Sequence, residues 1–338
     1  MTDKPHHVRT IADIARLAGV SPGTVSRALS GSTLVRETTR NQIIELAHEH
    51  GFTPNATARN LRMQRTGTIG VVVPLGHDVR QHISDPFFMQ MIGQLADRLT
   101  ERGYDLFLSR VVPSHPNWLS KIVDSGRVDG VIIIGQSDQF AVLDEVAARY
   151  RPMVVWGANN IGRTHCTVGS DNFLGGQIAT RHLIERGCQR IAFFGNPVGP
   201  EIVHRLDGCR AALQEAGITE PLEIVPTLMA PETTHPMILD WLDRQQTPPD
   251  GIVAASDVIA MCALRALSDR GLRVPADVKL MGYDDLALAA QTMPPLSTIH
   301  QDIGEGAGHL VDLLFRRIAG EDAPSVVLNP SLVVRAST

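Results

Sequence analysis

From Thr68 onward, short apolar runs alternate with longer stretches whose apolar residues recur three or four positions apart. Short continuous apolar runs are typical of strands buried on both faces of a parallel sheet, and the longer spacing is typical of helices. The predicted strands are residues 69–73, 106–108, 131–134, 153–156, 191–194, 252–254, 278–281 and 332–334. Repeated strand–helix units imply helices on both faces of a sheet, and the length requires two sheets. The pattern therefore predicts an α/β fold with two doubly wound parallel sheets.

The composition supports a globular chain of two or three folding units, with 338 residues of which 43% are apolar. No apolar run approaches the roughly 20 residues that span a bilayer. Residues 1–10 are polar and lack the apolar core of a signal peptide, so we expect a cytoplasmic protein without a membrane partner. Four cysteines lie far apart and are expected as buried thiols, without metal or cofactor: Cys166, Cys188, Cys209 and Cys262.

The charge is divided unevenly along the chain. Residues 1–65 hold nine basic and five acidic side chains, a formal charge of +4, which leaves −9 for the remainder. A small basic head on an acidic body favours a polyanionic partner for the head. A solvated charged surface would give the same asymmetry, so charge alone leaves both interpretations open.

The first 54 residues predict three helices. Thr10 with Asp13 three positions later resembles a capping box, and Gly19 ends the first helix. Ser21 and Pro22 begin a second helix at once, and a third runs over about 37–50. Their predicted buried side chains are Ile11, Ile14, Ala15, Ala18, Val25, Ala28, Leu29, Ile43, Ile44 and Ala47. Two short helices joined by a tight turn, within a segment of positive charge, indicate a helix-turn-helix that binds DNA. A three-helix cap without a ligand is the alternative interpretation.

The second helix of such a unit enters the major groove. Arg27 can reach a guanine edge or a phosphate, whereas short hydroxyl side chains and a further arginine suit phosphate contacts that fix register. The candidate DNA-contacting residues of the head are Thr10, Ser21, Pro22, Gly23, Thr24, Ser26, Arg27, Thr39 and Arg40.

Residues 10–29, TIADIARLAGVSPGTVSRAL, strongly resemble the head of LacI/GalR-family bacterial transcription repressors. Further matches occur at Thr39-Arg40, at GFTPNA over residues 51–56, and at Ala58 and Leu61, and the similarity continues through the body. The resemblance implies a homodimeric repressor that binds a pseudo-palindromic double-stranded DNA operator and is controlled by a small effector, and it implies no enzyme. One departure is Arg36, where the family commonly has a small helix-capping residue.

The resemblance also implies the domain organisation. A helix-turn-helix head (1–54) would be followed by a hinge helix and linker (55–65), in which Asn55, Ala58 and Leu61 contact DNA and Leu61 wedges into the minor groove. A helix this short is unstable alone, which suits a segment whose folding and unfolding acts as a regulatory switch. The body would be a periplasmic-binding-protein-like core, with lobe 1 at 66–169 and 300–326, lobe 2 at 170–299 and 327–338, and chain crossings near 169–171, 297–301 and 326–330.

Both lobes would present strand ends to one cleft, where ligands of open α/β sheets bind. Strand ends and the resemblance together give the candidate effector-binding residues Asp78, Ser84, Asp85, Phe87, Phe88, Gln136, Trp156, Asp171, Arg205, Asp257, Asp284 and Gln301. Trp156 is expected to stack on a sugar face, with a core position as the alternative. The glycine-rich residues 304–308 have the wrong spacing for a phosphate loop and are expected to allow close helix packing.

Several carboxylates with one arginine, an amide and an aromatic ring suit a polyol. We therefore expect a neutral saccharide such as a glucoside, and control of sugar-utilisation genes. A purine or sugar phosphate is the alternative effector, because Gly157 stands where sugar-binding relatives carry an acid and Phe87 with Phe88 could stack on a base. Two other classes stay open: a sugar-binding transport receptor, and a glycoside-processing enzyme using Asp171 with Asp284. No nucleotide-binding or nucleophile-elbow motif supports an enzyme.

Overall fold

A computed structural model describes residues 10–29, 32–52, 65–76, 80–158 and 164–338. The chain divides into two compact units at Thr66/Gly67, called here the head and the body. The predicted hinge contacts Asn55, Ala58 and Leu61 lie outside the described residues, as does Asp78.

The head is a three-helix unit with α1 (Ile11–Ala18), α2 (Pro22–Leu29) and α3 (Glu37–Glu49). The capping box at the start of α1 is complete, since Thr10 Oγ1 accepts from the Asp13 amide at 3.2 Å and the Asp13 carboxylate accepts from the Thr10 amide at 3.1 Å. Gly19 ends α1 with φ of +64°, a left-handed conformation that glycine adopts without strain.

The head's core lies between the three helices, where Ile14, Val25 and Ile43 are fully buried. Ile44, which was expected in this core, is 47% exposed, so that prediction is wrong. Positions 43 and 47 lie on one face of α3 because they are four residues apart, and position 44 is turned about 100° away from residue 43.

The body alternates strands and helices. Its strands are β1 (Thr68–Pro74), β2 (Asp105–Val111), β3 (Gly130–Ile134), β4 (Met153–Trp156), β5 (Cys166–Ser170), β6 (Ile191–Phe194), β7 (Glu223–Val225), β8 (Gly251–Ala254), β9 (Lys279–Asp284), β10 (Ser297–His300), β11 (Val326–Leu328) and β12 (Ser331–Val333). Its described helices are α4 (Pro86–Glu101), α5 (Trp118–Val123), α6 (Phe140–Arg149), α7 (Asn172–Glu185), α8 (Pro200–Glu215), α9 (Pro231–Arg244), α10 (Asp257–Asp269) and α11 (Ile303–Ile318), with a 3-10 turn at Ala287–Gln291.

The strands form two six-stranded sheets. Sheet 1 has the order β11-β5-β4-β3-β1-β2 and is parallel throughout. Sheet 2 has the order β12-β10-β9-β8-β6-β7 and is parallel except for β12, which pairs antiparallel with β10. Both sheets are covered by helices on both faces, as the strand–helix alternation predicts.

Strand β2 differs from its prediction as a buried strand. It lies at the edge of sheet 1, and its residues Phe107 and Leu108 are 37% and 39% exposed. Strands β5, β7, β10 and β11 were not predicted at all. Cys166–Ser170 and Ser297–His300 are buried although small and polar residues dominate them, so their apolar content gives no signal.

The chain passes between the sheets three times: at Asp171 after β5, at residues 301–302 before α11, and at residues 329–330 between β11 and β12. The lobe boundaries expected after residues 169, 299 and 326 fall one or two residues too early. Each expected boundary falls inside a strand, before the last residue of that strand that is paired in the sheet. For example, Ser170 and Leu328 pair with each other in sheet 1 but lie beyond the expected boundaries.

Three smaller expectations concern the body. All four cysteines are buried, as expected. Within residues 304–308, a Cβ at Gly306 would lie 2.3 Å from Cζ3 of Trp156, so helix α11 approaches β4 closely at this glycine. Among the described residues, no helix is long and apolar enough to cross a membrane.

Candidate functional site

A cavity opens at the carboxyl ends of strands from both sheets, where parallel α/β sheets bind their ligands. It contains about 1130 Å³ of space, including the part open to solvent at its mouth. Eight of the predicted effector-binding residues line it: Asp85, Phe87, Phe88, Gln136, Trp156, Arg205, Asp284 and Gln301.

Three predicted residues do not line the cavity. Ser84 is exposed in the turn before α4. Asp171 is the N-cap of α7, where its carboxylate accepts from the Leu174 amide at 2.9 Å. Asp257 is fully buried behind the cavity wall and accepts from the Thr298 hydroxyl at 2.6 Å and the Leu286 amide at 2.8 Å. Both carboxylates satisfy backbone N–H groups of the body instead of facing the cavity.

Arg205, on α8, is held by protein groups on several sides. Its Nε donates to Asn172 Oδ1 at 2.8 Å, and its Nη1 donates to the carbonyl of Ala255. Its guanidinium carbon lies 3.6 Å from the centre of the Tyr283 ring, and Nη1 lies 3.9 Å from the Asp284 carboxylate. A buried cation is tolerated only with such partners, so Arg205 has a fixed position in the cavity wall.

Asp284 ends β9 with a left-handed backbone, φ +116°, and Asp285 follows at +57°. Non-glycine residues in this region are strained and concentrate at functional sites. Burial raises the pKa of Asp284 well above its usual value, and Asp257 adds to this, while Arg205 and the Nε2–H of Gln301 at 2.6 Å oppose it. Burial also raises the pKa of Asp85.

The aromatic side of the cavity comes from α4 and β4. The rings of Phe87 and Trp156 are 6.2 Å apart and tilted by 45°, and Phe87 and Phe88 are 5.9 Å apart in an edge-on arrangement. Trp156 is only 6% exposed and is wedged against Gly306. Phe87 is half-buried and offers more open ring surface than Trp156.

Sequence reasoning missed several polar residues that line the cavity: Gln81, Ser170, Asn172, Glu201 and Thr227. Some were accessible from sequence, because Asn172 and Glu201 lie at the starts of helices. Four polar atoms of the lining are buried without a hydrogen-bond partner among the described residues: Gln81 Oε1, Gln136 Oε1, Ser170 Oγ and Thr227 Oγ1. Such atoms are costly unless a ligand or water satisfies them.

The two lobes touch each other across the cavity. The amide of Ala158, after β4, donates to Glu201 Oε1 at 3.2 Å. Gln81 Nε2 lies 3.5 Å from the sulfur of Met229, and His82 Nε2 lies 3.7 Å from the Glu232 carboxylate. Residues from both lobes therefore surround a molecule in the cavity.

On the head, Pro22, Gly23 and Arg27 of α2 are exposed, and Arg27 Nε donates to the Gly23 carbonyl at 3.1 Å. The remaining candidates lie at the surface or are half-buried: Thr10, Ser21, Thr24, Ser26, Thr39 and Arg40.

Arg40 differs from its expected role as a phosphate contact. Its guanidinium donates to the carbonyls of Val35 at 3.1 Å and Ser32 at 3.4 Å. The side chain is thereby turned inward, and it holds the segment between α2 and α3.

Comparison with known proteins agrees with both units. Residues 10–55 match the family described as bacterial regulatory proteins, lacI family, and residues 180–338 match the periplasmic binding protein-like domain. The chain is 31% identical to the HTH-type transcriptional repressor PurR of Pasteurella multocida (strain Pm70), over 97% of this chain and 98% of that protein.

Two solved structures cover almost the whole chain. One is the complex of transcriptional regulator CelR with cellobiose, at 31% identity and a TM-score of 0.69, covering 97% of this chain and 99% of that one. The other is the lac repressor dimer bound to operator and the anti-inducer ONPF, at 27% identity and a TM-score of 0.82, covering 97% and 98%.

The helix-turn-helix head and the two-sheet body with its cavity define a DNA-binding transcriptional regulator with a small-molecule site. The chain belongs to the LacI family of bacterial regulatory proteins, and within it the chain is a transcriptional repressor.

Proposed function

We propose that this repressor is controlled by a neutral saccharide bound in the cavity. The observation that carries the proposal is the set of four partnerless buried polar atoms, which come from both lobes. Hydroxyl groups lie all around a sugar ring, and each both donates and accepts, so a sugar can satisfy groups on several sides at once. The open face of Phe87 suits the C–H face of the same ring.

Charge favours a neutral effector over a sugar phosphate. Arg205 is the one cationic side chain among the described lining residues, and Asp85, Glu201 and Asp284 are acidic. Three acidic side chains face one cationic side chain, so the lining offers no excess of positive charge to an anion. An anion would lose hydration in the cavity without gaining a compensating charge.

A purine base is the second candidate, and the curated relatives named PurR favour it. A flat base could lie on Phe87 and use fewer of the four partnerless atoms, because its polar groups lie only along its edge. The two candidates differ in how many of these atoms the effector satisfies, and this difference can be tested.

We further propose that the repressor acts as a dimer whose two heads read the half-sites of a pseudo-palindromic operator. An effector that binds two lobe arrangements with different affinity shifts the population between them. Linkage then requires that operator DNA changes the effector's affinity by the same factor as the effector changes the affinity for DNA.

The test is a thermal-shift panel on the full chain with cellobiose, maltose, methyl glucosides, hypoxanthine, guanine and glucose 6-phosphate. A true effector at a hundred times its Kd adds about 2.7 kcal/mol of stability. We expect a shift with a neutral sugar that is lost in Phe87→Ala and Gln301→Ala and kept in Glu220→Gln, an exposed control. A shift with purines alone would replace the saccharide by the second candidate, and a shift with the sugar phosphate alone would contradict the charge argument.

A further inference from the structure

The cavity has a subsite around Gly157, directly after β4. A Cβ at Gly157 would lie 2.5 Å from Nε2 and 2.6 Å from Cγ of Gln136. No side chain fits there while Gln136 keeps its position, so Gln136 occupies the volume that a residue 157 side chain would need. The polar group presented at this point of the wall therefore comes from residue 136.

The next residue, Ala158, is held through both its backbone polar groups. Its carbonyl accepts from Gln136 Nε2 at 2.6 Å, and its amide donates to Glu201 Oε1 at 3.2 Å. The nitrogen and oxygen of one residue are only about 3 Å apart by covalent geometry. Gln136 of one lobe and Glu201 of the other therefore both end at the backbone of Ala158.

Each of these two side chains keeps one oxygen for a further donor. Gln136 is completely buried, and its Oε1 has no hydrogen-bond partner among the described residues. Glu201 forms its described hydrogen bond through Oε1, and both residues line the cavity. Two neighbouring acceptors call for a ligand with two neighbouring donors.

We propose that Gln136 and Glu201 are the specificity-determining pair of this repressor and that they accept from two adjacent hydroxyl groups, a vicinal diol, of the effector. The inference rests on the proposed saccharide function and deepens it. Because Glu201 belongs to the lobe of sheet 2 and Gln136 to the lobe of sheet 1, the diol bridges the two lobes.

The experiment is titration calorimetry on the full chain with cellobiose, maltose and the methyl glucosides. It is followed by the monodeoxy analogues of each sugar that binds. In the wild type, two of these analogues should each bind about 10- to 100-fold more weakly than the parent sugar, which is the effect of leaving a buried acceptor unpaired. The hydroxyl groups missing from these two analogues should be neighbours on the parent sugar.

Three variants carry the test. Gln136→Ala and Glu201→Gln should weaken binding of the parent sugar by a similar factor and should no longer discriminate against those two analogues. Gly157→Ala should behave like Gln136→Ala, because the added methyl displaces the Gln136 side chain. Gly93→Ala, where a Cβ meets no atom within 4 Å, and Glu220→Gln are the matched controls and should bind as the wild type does.

The outcomes are distinct. Variants that bind the parent sugar normally, or that keep the full penalty for both analogues, would overturn the diol assignment while the saccharide proposal stands. No binding of any sugar to the wild type would overturn both. Thermal unfolding without sugar shows whether each variant is folded. If Gly157→Ala does not fold, Glu201→Gln still provides the test, because this substitution keeps the size of the side chain.

Discussion

Arg205 makes four contacts with protein groups: Asn172, the Ala255 carbonyl, the Tyr283 ring and the Asp284 carboxylate. Single residues of the cavity were predictable where a strand end coincides with a family motif, as for Asp284, and Arg205, on helix α8, was predictable from the motif alone. Asp171, at the start of α7, was mispredicted, whereas Asp85, which caps α4, does line the cavity. At Asp171 the capping side chain turns back to the helix amides, and the following residue faces the cavity instead.

At the residue scale, Gly306→Ala should lower the free energy of unfolding by about 1–3 kcal/mol, because the methyl collides with the Trp156 ring. Gly308→Ala, where the new methyl meets only Arg98 at 3.6 Å, should instead stabilise α11 by about 0.5–1 kcal/mol. Urea denaturation of both variants checks this. Equal effects of the two substitutions on the free energy of unfolding would show that the packing of Trp156 does not require a glycine at position 306.

Asp257 should make stability depend on pH. Burial raises its pKa to about 7, so the folded chain keeps a proton that the unfolded chain releases near pH 4. The resulting stabilisation is fully present below pH 4 and is lost as the pH rises through 7, on the order of 2–4 kcal/mol. Urea denaturation at pH 4.5, 6 and 7.5 should show a smaller decline for Asp257→Asn than for the wild type. Parallel curves would contradict the assignment.

At the scale of elements, apolar runs predicted the central strands β1, β3 and β4 and their counterparts in sheet 2, because these strands are buried by their own sequence. The residues of a strand do not show whether the strand lies at the edge of its sheet or is buried by its neighbours. Strand β2 is apolar yet lies at an edge, and β10 contains serine, threonine and histidine yet is almost wholly buried by β9 and β12. The position of each strand in its sheet decided both cases.

The capping box of α1 should support the head. Thr10→Ala removes both hydroxyl contacts with Asp13 and should cost about 1 kcal/mol of local stability. Faster amide hydrogen exchange in α1 of the full chain is the measurement. Thr38→Ala, at an exposed position of α3, is the control and should leave exchange in α1 unchanged.

Two arginines of the head should respond differently to truncation. Arg27→Ala, on exposed α2, should weaken operator binding and reduce the slope of log affinity against log salt by about 1 if it meets a phosphate. Arg40→Ala should instead loosen the segment at Ser32 and Val35, seen as faster hydrogen exchange between α2 and α3. A stable Arg40→Ala head with a reduced salt slope would restore the predicted phosphate contact.

At the scale of the whole molecule, a +4 segment followed by a −9 remainder limits DNA attraction to one end of the chain. If two heads read two half-sites, the spacing of those half-sites is fixed by the dimer. Inserting five base pairs at the centre of an operator selected from random DNA turns one half-site by about half a helical turn. Affinity measured by fluorescence anisotropy should then fall at least about 10-fold. Undiminished affinity would show that each head binds independently.

The three passages between the sheets have a consequence for synthesis on the ribosome. Sheet 1 begins with β1, but it lacks β11 and its covering helix α11 until nearly all of sheet 2 has been translated. In that interval the apolar surface around Ile132 and Val154, which Leu310 and Leu314 later cover, stays open in the nascent chain. The lobe that starts first therefore cannot finish first, and both lobes are completed only after residues 303–333 have been translated.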